Sequence, residues 1–77
     1  MPNIERLMQK ISRARGVVPL REIEQVLFSS GYLHTDTRGS HFHYRAEKMP
    51  KMHFPVHNNK VQAIYAREIV KALNKKK

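Results

Sequence analysis

Histidines are the residues of this chain whose type and spacing could do chemistry. The chain has five histidines in 77 residues, and four fall in two short segments, at His41, His43, His53 and His57. Spacings of two and four residues place both members of each pair on one side of a β-strand. Neutral imidazole is a metal ligand, and it is also a general base because its ordinary pKa lies near working pH.

Three interpretations of these histidines are open from the residues alone. An i, i+2 pair with a cross-strand histidine can form a trigonal metal site, although no carboxylate or cysteine joins this cluster. The rings can also be ordinary surface side chains. In the third interpretation a neutral imidazole takes the proton of an RNA 2′-hydroxyl, which then attacks the adjacent phosphorus without a metal or cofactor.

Positive charge is concentrated in the second half of the chain. Residues 1–37 carry five basic and four acidic groups, whereas residues 38–77 carry ten basic and two acidic groups, and the whole chain has a net charge of +9. A one-sided basic surface attracts polyanions, and nucleic acid is the commonest of these inside cells. The charge therefore favours a nucleic acid or an acidic protein as partner, without choosing between them.

Length and composition limit the class of protein. A chain of 77 residues with 40% hydrophobic side chains makes one small domain with a thin core, which excludes a large enzyme with a deep cofactor cleft. The absence of cysteine from the sequence excludes disulfides and cysteine metal sites. Charges recur every few residues near the N-terminus, so we expect a cytoplasmic protein with no membrane segment.

Helical periodicity indicates two helices in the first half of the chain and one at its end. The first should cover residues 3–13 with Asn3 as its N-cap, and the second should cover residues 19–31. Asn58-Asn59 should open the last helix, over residues 60–74. One face of that helix should be buried, formed by Val61, Tyr65, Ala66, Ile69, Ala72 and Leu73. The opposite stripe should be basic, formed by Lys60, Arg67 and Lys71.

The hydrophobic period changes to that of β-strands in the middle of the chain. We expect strands over residues 32–37, 40–45 and 52–57, with a turn at Arg38-Gly39. Alternation places one set of side chains under the helices, namely Phe42, Tyr44, Phe54 and Val56. The other face then carries His41, His43, Arg45, His53 and His57. The predicted order is α-α-β-β-β-α, an α+β domain with a three-stranded antiparallel sheet packed on helices.

The segment from Arg38 to Tyr44, Arg-Gly-Ser-His-Phe-His-Tyr, resembles the Gly-Ser-His motif of the HicA toxin family, also called the YcfA-like family. Its surroundings are similar as well. A helix ending in glycine precedes the motif, and a strand ending in Val-His-Asn-Asn-Lys-Val leads into a closing helix. The resemblance covers residues 18–74 of a single domain, 1–77, and leaves 1–16 as an N-terminal helical extension and 75–77 as a basic tail.

Membership of this family would imply a double-stranded-RNA-binding-like α-β-β-β-α core with an extra N-terminal helix. It would also imply an endoribonuclease toxin of a type II toxin–antitoxin system, an mRNA interferase inhibited by a HicB-type antitoxin. The family's catalytic histidine corresponds to His41. Many members carry a second histidine directly after it, where this chain has Phe42, which alternation directs into the core. Tyr32 is then the aromatic side chain freest to stack on an RNA base.

The remaining site residues surround His41, the expected general base for the 2′-hydroxyl. Gly39 should allow a tight turn that a side chain could obstruct, and Ser40 should orient the turn or bind phosphate. His43 and His57 are candidates for a supporting acid or phosphate donor. Phosphate contacts are expected from the neighbouring cations Arg38, Arg45, Lys48, Lys51 and Lys60.

A partner surface is expected on the last helix. Ile64 lies among basic residues, where core burial does not explain it, and it would be an apolar anchor for an acidic antitoxin beside Arg67 and Lys71. Two other functions stay open. The chain could be a non-catalytic RNA-binding module of the same fold, or an interaction protein whose charge serves only to bind an acidic partner.

Overall fold

Three helices and five short strands make up the fold in a computed structural model that describes residues 3–74. The elements run in the order α1 Ile4–Ser12, β1 Val17–Pro19, α2 Leu20–Ser29, β2 Leu33–Arg38, β3 His41–Arg45, β4 Met52–Pro55, β5 Lys60–Gln62 and α3 Ala63–Asn74. The prediction of a small α+β fold with a three-stranded antiparallel sheet is confirmed. The basic tail, residues 75–77, lies outside the described residues.

The ends of the first two helices follow their sequence signals. The Asn3 side chain caps α1 by accepting a hydrogen bond of 3.2 Å from the Arg6 backbone N–H. Helix α2 ends in a Schellman motif, in which Gly31 has a φ of +94° and the Tyr32 N–H donates to the Leu27 carbonyl. Glycine adopts that left-handed backbone without strain, so the helix stops there and the chain turns into β2.

The larger sheet has the strand order β2-β3-β4, with both pairs antiparallel. Strands β2 and β3 join through the two residues Gly39 and Ser40, because Arg38 pairs directly with His41. The turn is therefore one residue later than predicted. A Cβ at Gly39 would meet nothing within 4 Å, so its φ of +59°, and not an obstruction, is what favours glycine there. Pro55 lies on β4, an edge strand of this sheet, where a proline removes no hydrogen bond between strands.

The core lies between the helices and one face of this sheet. Buried side chains from all three helices meet Tyr44, Phe54 and Val56 of the sheet side. Helix α1 belongs to the same core, because Ile11 is 1% exposed and α1 packs against α2 and α3. Polar contacts hold its end in place, since Arg67 donates to the Ala14 carbonyl at 2.8 Å.

A second, two-stranded sheet of β1 and β5 was not predicted from the sequence. Strand β1 lies between the first two predicted helices, where no strand was expected, and β5 occupies the first residues of the helix predicted from residue 60, so that predicted start is wrong. Asn58 and Asn59 both have positive φ, and His57 and Lys60 exchange backbone hydrogen bonds across them. Two left-handed residues are what a type I′ hairpin requires, and asparagine tolerates them. The pair therefore forms a hairpin turn, and α3 begins only at Ala63.

The later start changes which face of α3 is buried. The buried residues of the helix are Ala63, Ala66, Ile69, Val70 and Leu73. Tyr65 is 40% exposed and Ala72 is exposed, so their predicted burial is wrong. Val61 is buried as predicted, but it belongs to β5 and not to the helix. Its inclusion in the predicted helix therefore shifted the predicted buried face away from the observed one.

Candidate active site on the open sheet face

The side chains of the three-stranded sheet that point away from the core form rows across the strands. Directly opposed residues of an antiparallel pair share a face. One row joins Arg38, His41 and Pro55, and the next joins Asp36, His43 and His53. Arg45 and Lys51 line a shallow depression beside His43. We call this surface the open face, comprising Asp36, Arg38, His41, His43, Arg45, Lys51, His53 and Pro55.

Three imidazole rings lie close together on the open face. The ring centres of His43 and His53 are 5.3 Å apart and nearly parallel, with 23° between their planes. The rings of His41 and His53 are 6.3 Å apart and tilted by 47°. His41 and His53 are exposed, whereas His43 is half-buried. The structure thus brings together the predicted residues His41 and His43.

His53 belongs to this cluster, although it was not among the predicted site residues. Its signal was present in the sequence, because alternation along the third predicted strand placed it on the same face as His41. His57 is also exposed, but it lies beyond β4 at the hairpin, bridged to Lys60 by backbone hydrogen bonds.

One carboxylate lies on the open face, and an arginine holds it. The Arg38 guanidinium donates to Asp36 Oδ2 at 2.8 Å. This hydrogen bond lowers the pKa of Asp36 against a smaller desolvation effect, and the Thr37 N–H and the charges of Arg38 and His43 lower it further. Asp36 is therefore ionised at neutral pH and offsets one cation; it lines the same depression as Arg45 and Lys51, but within residues 3–74 neither of these two cations forms an ion pair.

The core face of the same strands is closed by contrast. The Tyr44 hydroxyl donates to Glu24 Oε2 at 2.6 Å, and the residue is fully buried. Burial and the Glu24 carboxylate raise the pKa of this phenol well above its usual value. His34 stacks on the half-buried Phe42 with ring centres 5.1 Å apart, and its Nε2 lies 2.7 Å from Thr37 Oγ1.

The other predicted site residues lie outside the open face. Ser40 is half-buried, and its carbonyl accepts a hydrogen bond of 2.7 Å from the Val56 N–H, which ties the start of β3 to the end of β4. Lys48 is exposed in the loop after β3, and Lys60 is exposed on β5. The prediction that Tyr32 could stack on a base is wrong, because its ring is fully buried and its hydroxyl donates to the Pro50 carbonyl.

The residues predicted for the partner surface divide into two groups on α3. Ile64 is 58% exposed in the first turn of the helix, and Lys71 is exposed near its end. Arg67 is exposed too, but its guanidinium already donates to the Ala14 carbonyl, so it has an internal structural contact.

The described residues form neither a metal-ligand cluster nor a membrane-spanning helix. Among residues 3–74, no three histidine, aspartate, glutamate or cysteine side chains are grouped closely enough to hold a metal ion. The metal-site interpretation therefore has no ligand set in that part of the chain. No helix within the described range is long and apolar enough to cross a membrane.

Comparison of the chain with known protein families, with curated proteins and with solved structures finds no match.

Proposed function

We propose that this protein is an endoribonuclease whose general base is His41. The observation that carries the proposal is the open face itself. His41 is exposed there, with the His53 ring 6.3 Å away and Arg38 directly opposite on β2, and the cations Arg45 and Lys51 line a depression farther along the same face. A flat basic surface suits an extended polyanion better than a small metabolite, since nothing encloses the ligand.

The reaction needs only the substrate and protein side chains. Neutral His41 takes the proton of an RNA 2′-hydroxyl, and that oxygen attacks the adjacent phosphorus. The bond from phosphorus to the 5′-oxygen breaks, which leaves a 2′,3′-cyclic phosphate and a 5′-hydroxyl. Arg38 lies opposite His41 and uses only its Nε for Asp36, so its two other nitrogens can offset the negative charge that develops on the phosphoryl oxygens. Arg45 and Lys51 hold neighbouring phosphates of the same RNA strand.

We further propose that the enzyme is a HicA-like mRNA interferase toxin with a double-stranded-RNA-binding-like core. The order α2, β2, β3, β4 and α3 supports this topology, with β1 and β5 as additions to it. Gly39 and Ser40 form the turn that delivers His41 to the first position of β3, so the Gly-Ser-His motif presents its histidine at the edge of a turn.

A HicB-type antitoxin would then be an acidic protein that covers the open face. Charge complementarity would guide it to Arg45 and Lys51, as it guides other basic and acidic partners. The exposed Ile64 offers an apolar contact for such a partner, with Lys71 on the same helix. Arg67 is the weaker candidate because it already holds the Ala14 carbonyl.

A comparison of wild type with His41→Gln tests the nuclease function. Purified wild type should cleave RNA in the presence of a chelator, and His41→Gln should be slower by about 10²–10⁴-fold, the usual contribution of a general base. The matched control is His34→Gln, the same change on the core face of the sheet. It should retain activity. On induction in cells, wild type should arrest growth with loss of mRNA, and His41→Gln should not.

One observation favours a non-catalytic RNA-binding module as the second candidate. Catalytic bases are commonly oriented by a third group, and no hydrogen bond within residues 3–74 orients the His41 ring. A binding module would bind RNA equally as wild type and as His41→Gln, and neither would cut it. Binding that does not weaken with salt would instead indicate a protein that recognises only an acidic protein partner.

A further inference from the structure

We infer that His53 is the general acid of this site and that His43 positions it. The inference rests on the proposed nuclease function, because it assigns the second proton transfer of that reaction. Cleavage moves two protons: one leaves the 2′-hydroxyl and another must reach the departing 5′-oxygen. His41 accounts for the first, and the Gly-Ser-His motif has no second side chain of ordinary pKa near neutral that could supply the other.

The separation of His41 and His53 suits two groups that act on one phosphodiester. The attacking and leaving oxygens lie in line on opposite sides of phosphorus, so the base and the acid must approach from different sides. Each ring needs a hydrogen bond of about 2.8 Å to its own oxygen, and the two oxygens are different atoms bonded to one phosphorus. Ring centres 6.3 Å apart and tilted by 47° therefore leave room for both imidazoles to contact oxygens of the same phosphate.

His43 is less suited to be the acid. It lies two residues from His41 on the same strand and is half-buried, whereas both other rings are exposed. Its ring is stacked on that of His53, at 5.3 Å and 23°, an arrangement that leaves no space for a phosphate between them. Directly opposed residues in an antiparallel pair limit each other's rotamers, so the His43 ring restrains the orientation of His53.

The register of the sheet gives His43 a fixed frame for this role. Asp36 lies directly opposite His43 on β2, and the Thr35 hydroxyl donates a hydrogen bond of 3.3 Å to the His43 carbonyl. His57 lies outside the row, because the chain leaves β4 after Pro55 and enters the Asn58-Asn59 hairpin.

The complete step balances in protons and bonds. His41 becomes imidazolium as the bond from the 2′-oxygen to phosphorus forms. The bond from phosphorus to the 5′-oxygen breaks, and the His53 imidazolium gives its proton to that oxygen and becomes neutral. Exchange with solvent returns both rings to their starting states, and no oxidant, metal or cofactor enters the balance.

An RNA oligonucleotide with a sulfur atom in place of the bridging 5′-oxygen tests the assignment of His53. A thiolate leaves without prior protonation, because thiols are much stronger acids than alcohols. On ordinary RNA, His53→Gln should be about 10²–10⁴-fold slower than wild type. On the thio-substituted RNA it should approach the wild-type rate, whereas His41→Gln should stay slow on both substrates. Thermal unfolding of each variant checks the fold, and His34→Gln serves as the matched control.

Each outcome of this experiment has a clear meaning. If His53→Gln cleaves ordinary RNA as fast as wild type, or stays slow on the thio-substituted RNA, His53 is not the general acid. If wild type cleaves neither RNA, the proposed nuclease function itself fails, and the assignment of His53 fails with it. The two failures are distinguishable because the first requires an active wild-type enzyme.

A test of His43 as a positioning residue needs a variant that keeps an aromatic ring stacked on His53 but has no imidazole nitrogen to carry a proton. His43→Phe preserves an aromatic face against His53, so it should retain activity with an unchanged pH profile, while His43→Ala should lower activity on ordinary RNA. The loss in His43→Ala should largely disappear on the thio-substituted RNA, because only the acid needs positioning. A loss in His43→Phe as large as that in His53→Gln would overturn the assignment and make His43 the acid.

Discussion

The two faces of the three-stranded sheet use neighbouring residues for opposite purposes. On the core face Tyr44 is fully buried, its hydroxyl is bonded to Glu24, and its ring stacks on Phe54 at 5.3 Å. On the open face His41 and His53 are exposed, with Arg38 opposite His41 and Lys51 lining the same hollow as His53. Strands β3 and β4 thus contribute neighbouring residues to packing and to the open face, whereas all six residues of β2 are exposed.

This difference teaches how a small domain can hold a reactive surface. A core residue is constrained by volume and by hydrogen bonding, so changing it costs folding free energy. A residue of the open face has few such constraints, and it can be chosen for its chemistry. Stability and activity should therefore respond to different, alternating positions along the same strand.

The largest expected effect is the difference in stability loss between substitutions at two adjacent residues of β4, one on each face of the sheet. Phe54 is 1% exposed, so Phe54→Ala should lower the free energy of unfolding by about 3–5 kcal/mol, enough to leave such a small domain marginally folded. His53→Ala, one residue away on the open face, should change it by no more than about 0.5 kcal/mol. Urea denaturation of both variants measures the difference. Equal losses would show that the open face contributes to the core.

A smaller effect is expected from the buried phenol. Tyr44→Phe removes the hydrogen bond to the Glu24 carboxylate and should cost about 1.5–3 kcal/mol of stability, with RNA cleavage unchanged. The packing of the ring on Phe54 is retained, so the loss isolates the hydroxyl. Urea denaturation at neutral pH measures the loss, and lost cleavage by a folded variant would contradict the separation of the two faces.

The same substitution has a pH signature with a definite sign. The folded pKa of Tyr44 is raised above the unfolded value of about 10, so its contribution to stability is complete below that pH. It is lost as the pH rises toward the folded pKa, because the unfolded phenol ionises first. Wild type should therefore lose stability above about pH 10 more steeply than Tyr44→Phe, and Tyr32, whose pKa burial also raises, leaves a residual slope.

Alternation made much of the sheet predictable. A period of two in His41 to Arg45 and in Met52 to Pro55 separates apolar from polar side chains, and the observed register keeps that separation. The helix caps at Asn3 and Gly31 were predictable for a similar reason, since each depends on local backbone chemistry. The clustering of His41 with His53 also followed from the pattern, although the distances between the rings did not.

Long-range contacts explain what the sequence did not show. Tyr32 looked free because alternation assigned the other aromatic side chains of the sheet to the core, but its ring is itself buried and its hydroxyl donates to the carbonyl of Pro50, 18 residues away. Asn58-Asn59 suits either a helix start or a hairpin turn, and pairing of β5 with the distant β1 decides for the hairpin. Both errors arise where tertiary contacts override a local preference.

The smallest expected effect concerns the cations that border the open face. Each phosphate contact adds about 0.7 to the slope of log affinity against log salt for single-stranded nucleic acid. Lys51→Gln and Arg45→Gln should each reduce that slope by this amount, whereas Arg6→Gln, on α1 and outside the open face, should not. Fluorescence anisotropy with a labelled RNA and a cleavage-inactive His41→Gln background measures the slope. If all three variants have the same slope of log affinity against log salt, RNA binds elsewhere, because removing a cation of the open face has then removed no phosphate contact.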